Sequence, residues 1–318
     1  MCNNINLEDD MSQSIEEDTN KEKNSGEYCE WIKIKGETFV PTAKIDIRKK
    51  INPGVYKLVY DRKYEEVALE KRELNLDELL YLPDPVFDTI VNDIEYFWNN
   101  EDKFKKYKFT YKRGILLHGK PGCGKSSVCL LLAQKIVKKD GIVIYINNGD
   151  DLEFFNIIIP TFRKIQPNTP ILCVLEDLDG LLHYKDNETR LLNLLDGANQ
   201  SNNVVYIGNT NYPENLKERV TNRPSRFDRR YEIELPDEKI RRFYLENKIN
   251  DEDKKDINLE DLIHKTEGLT LAHLGEVVKS IFIFNKDINE SINEIKGMEK
   301  FISSTQYKTN KTGVGFAK

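Results

Sequence analysis

The chain has 318 residues, of which 39% are hydrophobic and 32% are charged, and its formal net charge is −6. This composition is too apolar for a chain that is disordered throughout, and the length predicts about two or three domains. The acidic total disfavours a general nucleic-acid-binding protein, and every apolar run is shorter than the roughly 18–20 residues of a membrane helix.

The N-terminal segment, residues 1–27, carries eight acidic residues and two lysines, so it accounts for the whole net charge of −6. We predict that it forms a disordered acidic arm, and it has the pattern of neither a signal peptide nor a transit peptide. The five cysteines are scattered without a Cys-x-x-Cys pair, which favours a reducing compartment over a disulfide framework. We therefore expect a soluble protein of the cytoplasm.

Residues 28–82 contain short β-like runs separated by turn signals such as Asn52-Pro53-Gly54, which predicts a small β-rich N-terminal domain. From residue 83 to 235, strand-like and helix-like segments alternate, and this alternation predicts an α/β domain with a parallel sheet. Its five candidate strands are residues 115–118, 142–146, 171–176, 204–208 and 231–234. Residues 236–298 then have helical periodicity and predict a helical lid, and residues 299–318 predict a flexible tail.

A phosphate-binding motif spans residues 119–126, which read G-K-P-G-C-G-K-S and match G-x-x-x-x-G-K-[ST] between a predicted strand and a predicted helix. The glycines allow backbone N–H groups to surround a phosphate at the helix N-terminus. We expect Lys125 to reach the β- and γ-phosphates and the Ser126 hydroxyl to bind Mg²⁺. Two interpretations of Cys123 are open. It simply replaces the Thr or Ser of other loops, or its thiol has a lowered pKa at the helix N-terminus and makes the loop sensitive to oxidation.

Two carboxylates, Glu176 and Asp177, follow the apolar strand 171–175. The carboxyl end of such a strand, beside a phosphate loop, is where Mg²⁺ and an attacking water are bound. The alternative is a solvated acidic turn.

These motifs together resemble the AAA family of the AAA+ ATPases, over about residues 86–278. The segments that carry the likeness are Y-K-R-G-I-L-L-H-G at 111–119, L-E-D-L-D at 175–179, L-L-N-L-L-D-G at 191–197 and N-R-P-S-R-F-D-R at 222–229. Within that family the motifs are most similar to the branch of the mitochondrial Rieske-protein translocase, whose membrane helix has no counterpart in this sequence. The resemblance implies a P-loop α/β fold with a five-stranded sheet of the AAA+ type and a C-terminal helical lid.

The resemblance also assigns roles to single residues. It places Glu176 in the Mg²⁺ shell, in contact through water, and it makes Asp177 the residue that activates water; most AAA proteins have these two carboxylates in the order Asp-Glu. Asn211 is the sensor that contacts the water or γ-phosphate, or else it caps the turn after its strand. The nucleotide-binding positions are Gly119, Pro121, Gly122, Cys123, Gly124, Lys125, Ser126, Ser127 and, near the adenine, Ala272.

Arg223 and Arg226 match the arginines that reach the γ-phosphate of a neighbouring subunit in the family. The other interpretations of this arginine-rich stretch are a solvated face or a nucleic-acid-binding patch.

We therefore expect a Mg²⁺-dependent ATPase that forms a hexameric or heptameric ring and remodels or translocates a protein client. Residues 147–155 contain no aromatic–apolar–Gly triplet of the kind that threads unfolded chains through a pore. One alternative is a nucleotide-gated scaffold with slow hydrolysis, and a less favoured one is a loader or motor on DNA.

Overall fold

The computed structural model describes residues 30–35, 38–42, 48–62, 64–73, 79–196, 201–221, 223 and 225–303. The predicted acidic arm, residues 1–27, lies outside this part of the chain, as does the predicted tail beyond residue 303. The chain divides into two compact units, Met1–Ile51 and Asn52–Lys318. In the first unit, β1 (Glu30–Lys35) and β2 (Thr38–Thr42) form an antiparallel hairpin in which Glu30 is opposite Thr42.

The second unit is built on a seven-stranded sheet in the order β4-β3-β6-β7-β8-β5-β9. The hairpin of β3 and β4 is antiparallel, and every other pair of neighbours is parallel. Its strands are β3 (Gly54–Asp61), β4 (Glu66–Arg72), β5 (Lys112–His118), β6 (Ile142–Ile146), β7 (Ile171–Leu175), β8 (Val204–Thr210) and β9 (Arg229–Glu232).

The expected count of five strands is too low by the two strands of the hairpin. Strand β3 pairs with β6 in parallel, with Gly54 opposite Ile142, and so extends the sheet beyond the edge that β6 would otherwise form. Val55, Tyr56 and Leu58 are buried there. Covering the edge satisfies the backbone groups of β6 that a five-stranded sheet would leave unpaired.

Eleven α-helices connect or follow these strands in the described residues. They are α1 (Pro85–Trp98), α2 (Glu101–Tyr107), α3 (Lys125–Lys138), α4 (Gly149–Ile165), α5 (Leu178–Leu181), α6 (Lys185–Asp196), α7 (Glu218–Thr221), α8 (Glu238–Lys248), α9 (Leu259–Lys265), α10 (Leu271–Phe282) and α11 (Ile288–Ser303). One face of the sheet packs against α1 and α3 in a single apolar cluster.

The C-terminal helices α8 to α11, in the region predicted as a lid, enclose an apolar cluster of their own around Leu245, Leu262 and Val277. Polar side chains cap the N-termini of three of these helices. Asp237 accepts a hydrogen bond from the amide of Ile240 at 2.8 Å, and Asn258 and Thr270 cap α9 and α10 in the same way. Across the described residues, no helix combines the length and the apolar character needed to cross a bilayer.

Candidate nucleotide site

The phosphate loop lies between the end of β5 and the start of α3. Gly119, Gly122 and Gly124 have φ angles of 144°, 79° and 106°, a region of backbone conformation that favours glycine. A Cβ atom on Gly119 would lie 2.2 Å from the carbonyl oxygen of Ile233, so this position also lacks space for a side chain. The chain therefore needs glycine at these points of the motif.

Lys125, the first residue of α3, is 7% exposed. Its Nζ donates hydrogen bonds to the carbonyl oxygens of Gly119 at 2.7 Å and Lys120 at 2.9 Å. Burial lowers the pKa of Lys125, and the acidic groups of Cys123 and Asp179 act in the opposite direction. The ammonium group is thus placed inside the loop, where it can exchange carbonyl oxygens for phosphate oxygens.

The carboxylate pair follows β7 directly. The amide of Glu176 continues the β6–β7 ladder by donating to the carbonyl of Ile146 at 3.2 Å. Asp177 has left-handed backbone angles, φ 50° and ψ 56°, and its amide donates to Oδ1 of Asn209 at 2.8 Å. The buried Asn209 side chain therefore fixes the unusual backbone of the predicted catalytic residue, a role that the sequence motifs do not indicate.

Both carboxyl groups have raised pKa values. For Glu176 the main cause is burial, with a further contribution from Asp177, while Arg72 lowers its pKa. For Asp177 burial is again first, followed by the charge of Asp179 and a hydrogen bond that protonated Asp177 donates to it. Negative charge is crowded here, and a bound cation would relieve it.

Asn211 and Asp179 lie at the same edge of the sheet. The hydroxyl of Thr210 donates to Oδ1 of Asp179, and the amide of Asn211 approaches the same oxygen at 3.3 Å. Asn211 follows the last residue of β8 and borders the cavity described below. Its position is compatible with the predicted sensor role, which stays a prediction.

A cavity of about 800 Å³ joins these elements. Its polar lining residues are Lys125, Ser126, Ser127, Glu176, Asp177, Asn209 and Asn211, together with the loop residues Pro121, Gly122 and Gly124. Its apolar lining residues are Leu79, Leu80, Leu82, Leu130, Tyr244, Leu271 and Ala272. A cavity with both kinds of lining can accept the phosphates and the base of a nucleotide. Apart from Ala272, the sequence motifs do not indicate the apolar residues.

The two predicted finger arginines have different surroundings. Arg223 is exposed and approaches Oδ2 of Asp196 at 3.5 Å. Arg226 is buried, its Nε donates to the same oxygen at 3.0 Å, and its Nη1 donates to the carbonyl of Arg219. Burial raises the pKa of Asp196, but hydrogen bonds from Arg226 and Ser225 outweigh it and lower the pKa overall.

A second buried carboxylate, Glu188 on α6, binds two residues of the segment just before these arginines. It is 2% exposed and is bonded to Lys217 Nζ at 2.6 Å and to Arg219 Nε. The hydrogen bond from Arg219 is the largest cause that lowers the pKa of Glu188 to about 2; burial opposes it, and Lys217 adds to it. Through Arg219 this ion pair also connects to Arg226.

The polar residues that line the cavity fit a magnesium ion that arrives with a nucleotide. Mg²⁺ prefers oxygen ligands and is usually bound through one or two carboxylates together with substrate phosphates. Ser126 and Glu176 supply such oxygens next to the phosphate loop. The described residues contain no group of three or more His, Cys, Asp or Glu side chains that could bind a metal ion by itself.

Comparison with known proteins shows what this region of the chain is similar to. Residues 115–235 match the model of the ATPase family associated with various cellular activities (AAA). The chain is 28% identical over 229 residues to an ATP-dependent zinc metalloprotease FtsH of Aster yellows witches'-broom phytoplasma, covering 63% of this chain and 33% of that protein. It is 26% identical over 251 residues to a cell division cycle protein 48 homolog of Archaeoglobus fulgidus, covering 74% and 32%.

The chain spans about a third or less of the length of these relatives, including the Protein SAV of Sulfolobus acidocaldarius, which is 28% identical over 26% of its length. The match of the family model begins inside β5 and ends after β9, so it contains the phosphate loop, the carboxylate pair and the arginine segment. Residues 115–235 are therefore similar to the ATPase family associated with various cellular activities (AAA).

Proposed function

We propose that this chain hydrolyses ATP with Mg²⁺ in a homo-oligomeric ring and couples the reaction to remodelling or translocation of a protein client. The observation that carries the proposal is the shared cavity bordered by the phosphate loop, both carboxylates and Asn211. Its lid-side apolar residues supply a surface for the base. Phosphate binding, metal binding and water activation are thereby assigned to one place.

In this proposal, Lys125 and the loop amides bind the β- and γ-phosphates, and the Ser126 hydroxyl and Glu176 belong to the Mg²⁺ shell. The metal would neutralise charge on the phosphates and hold them in place. Asp177 orients the attacking water and accepts its proton. Its raised pKa, caused first by burial, makes its carboxylate a better base than an ordinary exposed Asp.

Hydrolysis in the proposed ring depends on an arginine from the neighbouring subunit. Arg223 is the better supported of the two predicted fingers because its side chain is exposed, whereas Arg226 is buried against Asp196. Arg226 remains a candidate only if its bonds to Asp196 and Arg219 open on assembly. We therefore assign the finger to Arg223 and a supporting role to Arg226.

The mode of client handling is inferred from α4, which only two residues separate from the end of β6. The helix runs without a break from Gly149 to Ile165, and Phe155 is buried in the core rather than presented in a loop. This arrangement disfavours threading of unfolded chains by an aromatic pore loop. It supports the proposed likeness to the Rieske-translocase branch, whose client is folded.

The test is ATP turnover per chain measured against protein concentration. If Arg223 of one subunit completes the site of the next, turnover per chain should rise with protein concentration as rings form and then level off. Arg223→Ala should bind ATP but stay slow at every concentration. Turnover that is independent of concentration in the wild-type chain would contradict the ring mechanism, and assembly with persistently slow turnover would favour the scaffold alternative.

A further inference from the structure

Tyr145 presents a buried hydroxyl group that has no hydrogen-bond partner among the described residues. The side chain is 5% exposed and lies in the penultimate position of β6. Burying an unpaired hydroxyl is costly, and the same ring shape is available in phenylalanine without that cost. Packing alone therefore does not explain why this position has a tyrosine instead of a phenylalanine.

The register of the sheet places Tyr145 beside Glu176. Tyr145 is directly opposite Val174 on β7, and both belong to the apolar cluster on the face covered by α3. Because side chains alternate along a strand, Glu176 continues the face of Val174, one step nearer to the phosphate loop. The tyrosine and the glutamate are thus diagonal neighbours on one face, at the edge of the sheet where the nucleotide site lies.

The charges around Tyr145 agree with this placement. Burial raises its pKa, and the neighbouring Cys129 and Glu176 raise it further, whereas Arg72 lowers it. A phenol is protonated at neutral pH even at its ordinary pKa of about 10, so it is able to donate. The guanidinium of Arg72 lies over its ring, 6.0 Å from the centroid, an arrangement that favours a fixed ring orientation.

The other polar side chain on this face, Asn209, is already engaged. Its Oδ1 accepts the amide of Asp177, and its side chain also hydrogen-bonds the Cys129 thiol. Asn209 therefore fixes the backbone of one catalytic carboxylate and leaves the Tyr145 hydroxyl without a partner. Glu176 is the carboxylate whose charge acts on Tyr145.

We propose that Tyr145 is a positioning residue for Glu176, whose carboxylate accepts a hydrogen bond from the Tyr145 hydroxyl when the site is loaded. This inference rests on the proposed function, in which Glu176 belongs to the Mg²⁺ shell. The hydrogen bond would occupy one carboxylate oxygen and aim the other toward the metal. Hydrogen-bond partners of metal ligands commonly contribute in this way to metal affinity.

The experiment compares Tyr145→Phe with the wild-type chain in binding a fluorescently labelled ADP, with Mg²⁺ and with a chelator. Tyr206→Phe is the matched control, because Tyr206 is a buried tyrosine of the same sheet whose titratable neighbours, Cys173 and Arg163, do not include Glu176. We expect Tyr145→Phe to reduce the gain in affinity that Mg²⁺ produces by about tenfold. Its affinity without Mg²⁺ should stay within about twofold of wild type, and its melting temperature without nucleotide should not fall.

Two results would overturn the positioning role. One is an unchanged Mg²⁺ effect in Tyr145→Phe, and the other is an equal loss of affinity with and without Mg²⁺, which would indicate a structural role. A wild-type chain whose ADP binding does not respond to Mg²⁺ at all would overturn the proposed metal site and the positioning role together. A Mg²⁺ effect that is present in the wild type and survives in Tyr145→Phe would overturn the positioning role alone.

Discussion

The backbone N–H of Ala272 donates a hydrogen bond of 3.1 Å to the carbonyl oxygen of Gly122. This bond joins the first turn of lid helix α10 to the middle of the phosphate loop. Thr270, which caps the same helix, lies close enough that its Oγ1 would be 2.9 Å from a Cβ on Gly122. The phosphate loop and helix α10 are therefore linked through one glycine.

The first prediction follows from that close approach. In Gly122→Ala, the new methyl would lie 2.9 Å from the Cβ of Ala272, so the lid must move away from the loop. Gly268→Ala is the matched control, because Gly268 has nearly the same φ, 81° against 79°, and its Cβ would meet no described atom within 4 Å. Both variants should lose about 1–2 kcal/mol of unfolding free energy through backbone strain.

Only Gly122→Ala should also bind labelled ADP about tenfold or more weakly, since about 1.4 kcal/mol of lost contact corresponds to a factor of ten. Urea unfolding and an ADP titration measure the two effects separately. Equal ADP affinities in the two variants would show that lid contact does not matter for binding.

A second prediction concerns Asn209, which accepts the amide of Asp177. Asn209→Ala removes the side chain that fixes this left-handed backbone through a hydrogen bond. We expect a loss of about 1–3 kcal/mol of unfolding free energy from the unpaired buried groups. Displacement of Asp177 should lower kcat by about 10- to 100-fold.

Asn211→Ala provides the comparison for Asn209. Asn211 is half-buried at the cavity, so its removal should lower kcat with little change in stability. Steady-state kinetics and urea unfolding of both variants distinguish the two asparagines. Wild-type kcat in Asn209→Ala would refute the positioning of Asp177 by this residue.

The third prediction is a pH dependence that originates at Glu188. Its pKa, lowered mainly by the hydrogen bond from Arg219, is about 2 in the folded chain against an ordinary 4.5. A lowered pKa stabilises the folded state above about pH 4.5, and this stabilisation is lost as the pH falls toward 2. Glu188→Gln should therefore be less stable at pH 7 by about 1–3 kcal/mol, and the difference should shrink in acid.

Glu260→Gln is the control for this measurement, because Glu260 is also bound by an arginine, Arg242, but is exposed. It should change stability little at any pH. The measurement is the unfolding free energy of the wild type and both variants, from neutral pH to a pH below the ordinary pKa of a glutamate. A constant difference between Glu188→Gln and wild type over that range would contradict the predicted ionisation.

The fourth prediction separates the two arginines. Arg223→Ala should fold and bind ATP normally but lose about 10³-fold or more in hydrolysis, as expected for a lost arginine finger. Arg226→Ala should instead be destabilised, because it leaves the half-buried Asp196 without its main partner. Circular dichroism melts and phosphate release report the two effects.

A mixing experiment checks that the finger acts between subunits. An Asp177→Asn chain still carries Arg223 and can complete the intact site of an Arg223→Ala neighbour. Mixing the two inactive variants should thus recover measurable turnover. If no mixture recovers activity while both variants assemble, Arg223 does not act in trans.

Local sequence motifs predict many residues of this site. The remaining features depend on contacts between segments that are distant in sequence. The strand of residues 142–146 is correctly predicted because its signal lies within a few consecutive residues. The β-like run at residues 55–60 indicates a strand, but it does not indicate that this strand pairs with β6 in the main sheet. The residues of a strand indicate only weakly which other strand it will pair with.

The sequence motifs do not identify Asn209, for a related reason. The predicted strand ends at residue 208, whereas β8 continues to Thr210 and so turns the Asn209 side chain inward beneath Asp177. The resemblance draws attention to Asn211 instead. The burial of Arg226 depends on Asp196, which lies 30 residues away in sequence and is brought close only by folding.

Hydrolysis by Asp177→Asn at matched nucleotide occupancy tests the central claim most directly. The substitution keeps the size of the side chain and removes the base, so ATP should bind with near wild-type affinity. We predict that phosphate release, measured at saturating ATP and Mg²⁺, falls at least about 100-fold. Turnover close to that of the wild type would contradict the assignment of Asp177, and with it the mechanism proposed for this domain.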